Sequence, residues 1–96
     1  MSAVAQSNAV ILHEGDNVAV AVRTVRAGEA VVVKGEKRLT AAEDVEVGHK
    51  IALGSIACGA TVYRYGEPIV EATCAIQAGA RVHVHNTRPI PGDLES

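Results

Sequence analysis

The chain has 96 residues, a formal net charge of −2, two tyrosines and neither Phe nor Trp. That length makes one small domain that buries roughly 60–65% of its unfolded surface. A near-neutral balance without a basic run excludes the concentrated positive surface that nucleic acid requires. No apolar stretch approaches the ~20 residues that span a bilayer, and no basic region precedes the apolar Ala9–Leu12 to make a secretion signal.

Met1–Asn8 reads as a flexible end, followed by the polar turn "HEGDN" (His13–Asn17). "NVAVAVRTV" (Asn17–Val25) alternates as a half-buried strand does. "EAVVVKGE" (Glu29–Glu36) is a short apolar run that ends in a turn, and "LTAAEDVEVG" (Leu39–Gly48) has room for one helical turn. "ARVHVHN" (Ala80–Asn86) alternates again, which as a strand places His83 and His85 on one face and Val82 and Val84 on the other. Pro89–Ser96 closes the chain as a flexible tail and leaves 9–88 as the folded domain. Cys58 and Cys74, single among alanines, read as small core fillers. Reduced thiols and the absence of a leader suit the cytoplasm. The apolar content of 48% is chiefly valine and alanine. Branched valine favours a pleated surface, and so many small side chains suggest further burial against a partner or a second copy.

A repeat organises these elements. "VRAGEAV", "VEVGHKI", "IACGATV" and "IQAGARV" share apolar-x-x-Gly-x-x-apolar, with Gly28, Gly48, Gly59 and Gly79 at their centres. Laying Thr24–Gly54 over Ser55–His85, an offset of 31, pairs Gly28 with Gly59, Gly35 with Gly66, Ala41 with Ala72 and Gly48 with Gly79. Short strands joined by glycine turns and duplicated once predict an all-β domain with approximate two-fold pseudo-symmetry.

The duplication also serves as an internal control. His49 falls over Ala80, His83 over Ala52 and His85 over Gly54, so the scaffold does not require an imidazole at any of them. Lys50 falls over Arg81, which gives a cation at that place a structural share. Two histidines do not complete a zinc site, which takes three or four ligands, so a metal set stays unassigned.

The series "LHEGDNVAVAV", "VEVGHKIAL", "YGEPIVEAT" and "GARVHVHN" resembles the small N-terminal SAF domain of the altronate/galactarate dehydratase family, and equally the alpha subunit of sulfolactate sulfo-lyase in the same superfamily. The resemblance covers roughly His13 to Asn86 and is weakest over "KGEKRLTAAED" (Lys34–Asp44). It implies a β-clip fold and a lyase that takes water, or sulfite, from a hydroxy acid to leave a 2-oxo acid. It further implies a divalent metal, iron or a similar ion, held mainly by a large catalytic subunit. The chain's end ten residues past Asn86 leads to the expectation that this subunit is a separate chain.

Dehydration next to a carboxylate needs a base, an acid for the departing hydroxide, and fixed cations to meet developing negative charge. On that chemistry His83, His85 and His49 are the candidate catalytic groups. His13, Asp16, Asn17, Lys50 and Asn86 are candidates for binding the hydroxy acid, with Asp16 also suited to orienting an imidazole. All four histidines are expected around one cleft. A non-catalytic module that binds a sugar acid or a partner is the alternative from another class.

Overall fold

The computed structural model describes residues 6–90, and all its regular structure is strand. The elements are β1 (Ala9–Val10), β2 (Val18–Ala21), β3 (Ala30–Val33), β4 (Glu36–Thr40), β5 (Lys50–Ala52), β6 (Thr61–Arg64), β7 (Glu67–Ala72), β8 (Arg81–Val82) and β9 (Thr87–Arg88). They form a four-stranded antiparallel sheet in the order β1-β2-β5-β8, a β3-β4 hairpin, and a three-stranded sheet β6-β7-β9. The helical turn expected within Leu39–Gly48 is absent: Ala41 and Val45 are buried, and Val45 bridges Val25 instead. Tertiary pairing supplies those backbone groups with partners that a single helical turn cannot.

The registers repeat at the offset of 31. In β3-β4, Val31 faces Leu39 and Val33 faces Glu36, with a bulge between Val31 and Val32. In β6-β7, Val62 faces Val70 and Arg64 faces Glu67, with a bulge between Val62 and Tyr63. The bridge Val25↔Val45 recurs as Ile56↔Ile76. Gly28, Gly48, Gly59 and Gly79 all have φ between 84° and 88°.

The first strand of each hairpin is clamped alike. The side chain of Asn8 donates to Ala30 O and accepts from Val32 N; that of Asn17 donates to Thr61 O and accepts from Tyr63 N. Asn8, expected in a flexible end, is therefore buried and bonded. Met1–Ala5 and Pro91–Ser96 lie outside the described residues.

Strand alternation sorts the core into two clusters. Ala19 and Ala21 of β2 and Ile51 of β5 join Val25, Val31 and Val45 in one; Val18 of β2 and Ala52 of β5 join Ile56, Val62, Ile76 and Val82 in the other. The central sheet is thus buried on both faces, which only a run of apolar residues permits. Cys58 and Cys74 do not fill either cluster: both are exposed and free. They lie in the turn and bend that link strands, where the chain is already at the surface.

Candidate functional site

The antiparallel pair β5-β8 aligns Lys50 with Val82 and Ile51 with Arg81. One further step along that register brings His49 against His83, and the two rings stack with centroids 4.6 Å apart and planes 14° apart. His85 lies 6.5 Å from His83, tilted by 48°. His49 and His83 are half-buried and His85 is exposed.

"RVHVHN" is not a strand throughout. β8 stops at Val82, and His83–Asn86 is a tight turn closed by Asn86 N–H donating to His83 O at 3.1 Å. Asn86 holds it from inside. Its Oδ1 accepts from His83 N at 2.9 Å and its Nδ2 donates to Arg81 O at 2.8 Å. The hydroxyl of Thr87 donates to His83 O at 2.8 Å. An asparagine that satisfies its own turn competes with the ladder, and here it wins. The turn leaves Val84 79% exposed and directs two imidazoles to one end of the sheet.

Cations surround this cluster. Desolvation pushes the His83 imidazole below its ordinary range, and the neighbouring His49, Arg81, Lys50 and His85 push it the same way. Lys50 is likewise lowered, first by burial and then by Arg64. The backbone N–H of Arg81 donates to Glu43 at 2.8 Å, while Arg81 Nε and His49 Nδ1 are buried without a hydrogen-bond partner. Arg64 and Arg81 were not among the site residues read from sequence. Two sequence signals mark Arg81, its place over Lys50 in the repeat and its place two residues before His83 in an alternating run; no signal marks Arg64, which comes near because β6 packs beside β2.

His13 does not join them. Its ring lies over Gly66, where an added Cβ would come within 3.1 Å of it, and its Nδ1 accepts from Gly15 N at 2.9 Å. It lines a separate open cleft of about 400 Å³ with Ile11, Asp16, Lys34, Arg38 and Leu53, and no other histidine lines that cleft. The expectation of a single cleft shared by four histidines is corrected to three plus one. β2 is the reason: His13 precedes its first residue, whereas His49 O meets Ala21 N at its last.

Three expected substrate ligands are occupied by backbone. Asp16 is buried and accepts from Tyr65 N and Gly66 N, both at 2.8 Å. Burial raises its pKa, but those two bonds, helped by His13, outweigh it and leave the carboxyl below its usual value. It therefore holds a hairpin tip rather than orienting an imidazole by a hydrogen bond. Asn17 and Asn86 use their amides on backbone as described. A polar residue beside a turn reads alike in sequence whether it faces a ligand or a peptide group.

Among the described residues no group of three or more His, Cys, Asp or Glu is arranged to hold a metal ion. The stacked pair explains why. Imidazole lone pairs lie in the ring plane, and two nearly parallel planes 4.6 Å apart do not aim them at one point. This set does not fit a resident metal. It fits a binder of small anions with acid–base groups attached, because cations and imidazoles converge while the Glu43 carboxylate at its edge is engaged by the Arg81 backbone N–H.

Comparison with known proteins gives the family. The model of the altronate/galactarate dehydratase SAF domain matches residues 7–89. Altronate dehydratase of Escherichia coli (strain K12) is 46% identical over 84 residues, covering 88% of this chain and 17% of that enzyme. Altronate dehydratase of Bacillus subtilis (strain 168) is 37% identical over the same shares. The (2R)-sulfolactate sulfo-lyase subunit alpha of Paracoccus pantotrophus is 41% identical over 51 residues, 53% of this chain and 76% of that subunit. The chain spans about a sixth of the length of the two altronate dehydratases. On the extent of that match, the chain belongs to the family of altronate/galactarate dehydratase SAF domains.

Proposed function

We propose that this domain is the small component of a carbon–oxygen lyase of the altronate/galactarate type, acting in the cytoplasm with a large catalytic chain. The observation that carries the reading is the stacked His49–His83 pair beside His85, Lys50 and Arg81. In this reading a base takes the proton from the carbon next to the substrate carboxylate, hydroxide leaves from the adjacent carbon as water, and the enol product becomes a 2-oxo acid. His83, whose pKa is lowered by desolvation first and then by its neighbours, suits the base; exposed His85 suits the acid that protonates the leaving hydroxide. Lys50 and Arg81 meet the carboxylate. Val47 and Val84, 59% and 79% exposed and within two residues of the imidazoles in the chain, offer apolar surface to the large chain. A divalent metal, iron or a similar ion, belongs in this reading to that chain.

The similarity to a sulfo-lyase subunit of comparable extent favours a second reading, in which the same site expels sulfite. The test is reconstitution with a large dehydratase chain from the same genome, offered altronate, galactarate and sulfolactate. No turnover is expected from this chain alone, and 2-oxo acid is expected from the pair. Sulfite release identifies the second reading. His85→Ala is expected to leave folding within about ±0.5 kcal/mol and to lower the rate on the order of 100-fold or more. Robust turnover by the chain alone overturns the two-chain reading. A paired His85→Ala complex at wild-type rate removes His85 from the chemistry.

A further inference from the structure

The two cysteines, which the lyase reading leaves unused, lie on facing segments, with Cys58 Sγ at the carbonyl before Cys74. Ile56 and Ile76 exchange both backbone hydrogen bonds at 2.8 Å. Four residues on, Ala72 N donates to Ala60 O at 2.9 Å, while Gly59 N donates to Ala72 O and Ala60 N closes a turn onto Ala57 O. Cys58, in that turn, and Cys74, in a bend, lie between these two contacts on facing segments. A side-chain contact agrees: Cys58 Sγ donates to Thr73 O at 3.3 Å, the carbonyl immediately before Cys74. A carbonyl oxygen lies roughly 3 Å from the next Cα by standard peptide geometry, so Cys58 Sγ reaches within about 6 Å of the Cys74 Cα. Both thiols are exposed, so an oxidant reaches them.

The duplication again acts as a control. The corresponding pair in the first unit is Ala27 and Glu43, flanked by the bridge Val25↔Val45 and the bond from Ala41 N to Glu29 O. The scaffold forms there without thiols, so the fold does not call for two cysteines at this place.

We propose that Cys58 and Cys74 are a dithiol modification site that closes to an intrachain disulfide when exposed to a small-molecule disulfide. One thiolate attacks the oxidant and forms a mixed disulfide, releasing one equivalent of reduced thiol. The second cysteine then attacks the sulfur of its partner cysteine, forming the Cys58–Cys74 bond and releasing the second equivalent. Two protein thiols are oxidised and one disulfide oxidant is reduced to two thiols. The site lies beside the histidine turn, because Thr73 N donates to Asn86 O at 3.0 Å.

The full chain is treated with oxidised glutathione in native buffer and in urea, quenched by acid, and mapped by mass spectrometry without reduction. The native chain is expected to yield a monomer carrying the Cys58–Cys74 cross-link, at a rate at least about 10-fold above that in urea, since the fold holds the two cysteines on adjacent segments. Cys58→Ser and Cys74→Ser are each expected to keep a glutathione adduct on the remaining thiol. Native chain that accumulates adducts on both cysteines, cross-links between chains, or closes no faster than the urea-unfolded chain overturns the proposal. So does native chain whose thiols stay free while the single-serine variants take up glutathione.

Discussion

Asp16 shows how one side chain serves the fold in a place that reads as a site. Tyr65 has φ of 62° and Gly66 of 76°, a two-residue hairpin tip with both residues left-handed. Tyrosine is strained there, and the two N–H bonds to the Asp16 carboxylate hold the tip in place. Because the folded pKa of Asp16 is depressed, the folded state binds its proton less readily than the unfolded chain. The stabilisation is therefore complete above the unfolded value of about 4 and is lost as pH falls through the lower folded value. Replacing Asp16 by Ala is expected to cost about 1 kcal/mol at neutral pH, since water takes over part of the exposed tip. It is also expected to flatten the acid limb of stability between pH 5 and pH 2, read by urea titration at each pH. An unchanged acid limb would show that another carboxylate governs it.

At the scale of elements, the four glycine turns look interchangeable but are not. Gly48 has φ of 88° and nothing within 4 Å of where a Cβ would stand. Gly79 has φ of 86°, but its Cβ would stand 2.3 Å from Thr40 O and 3.0 Å from Ala42 N. The chain passes close at this point because Ala42 N donates to Gly79 O at 2.8 Å, tying the first unit to the second. Gly48→Ala is expected to cost about 1–2 kcal/mol, the strain of a left-handed alanine. Gly79→Ala adds a clash with backbone that has no rotamer to escape through, and it belongs in the exceptional class above about 4 kcal/mol. Thermal unfolding of the two variants checks the ranking; equal losses would remove the close approach as a constraint.

For the molecule as a whole, β2 and β5 are the shared wall between two small cores. Each strand contributes alternate residues to both clusters, so neither cluster can open without exposing the other through the sheet. A single cooperative transition is expected. Both tyrosines lie at the β6-β7 tip, within the second unit, while far-UV circular dichroism reports every strand. The two signals are expected to share one midpoint in urea. Ile51→Ala, at a site with no exposure, is expected to lower stability by about 2–5 kcal/mol and to move both signals together. Separate midpoints would show that the two clusters unfold independently.

The sequence by itself determined the strand class and the family. Both rest on local pattern: alternation of small apolar residues, glycines at fixed offsets, and motifs in order over nearly the whole domain. It also singled out His49, His83 and His85, because the repeat has no imidazole at the matching positions. Only the tertiary structure decided which of these residues meet. Whether Asn86 faces a ligand or its own turn depends on where β8 ends, and Asp16 is engaged by a hairpin about 50 residues away. The separation of His13 from the other three histidines, the approach of Arg64 to Lys50, and the nearness of Cys58 to the segment that carries Cys74 all follow from pairing between distant segments. Pairing register is a long-range property: it is set by which faces bury together, and a residue's own neighbours in sequence do not carry it.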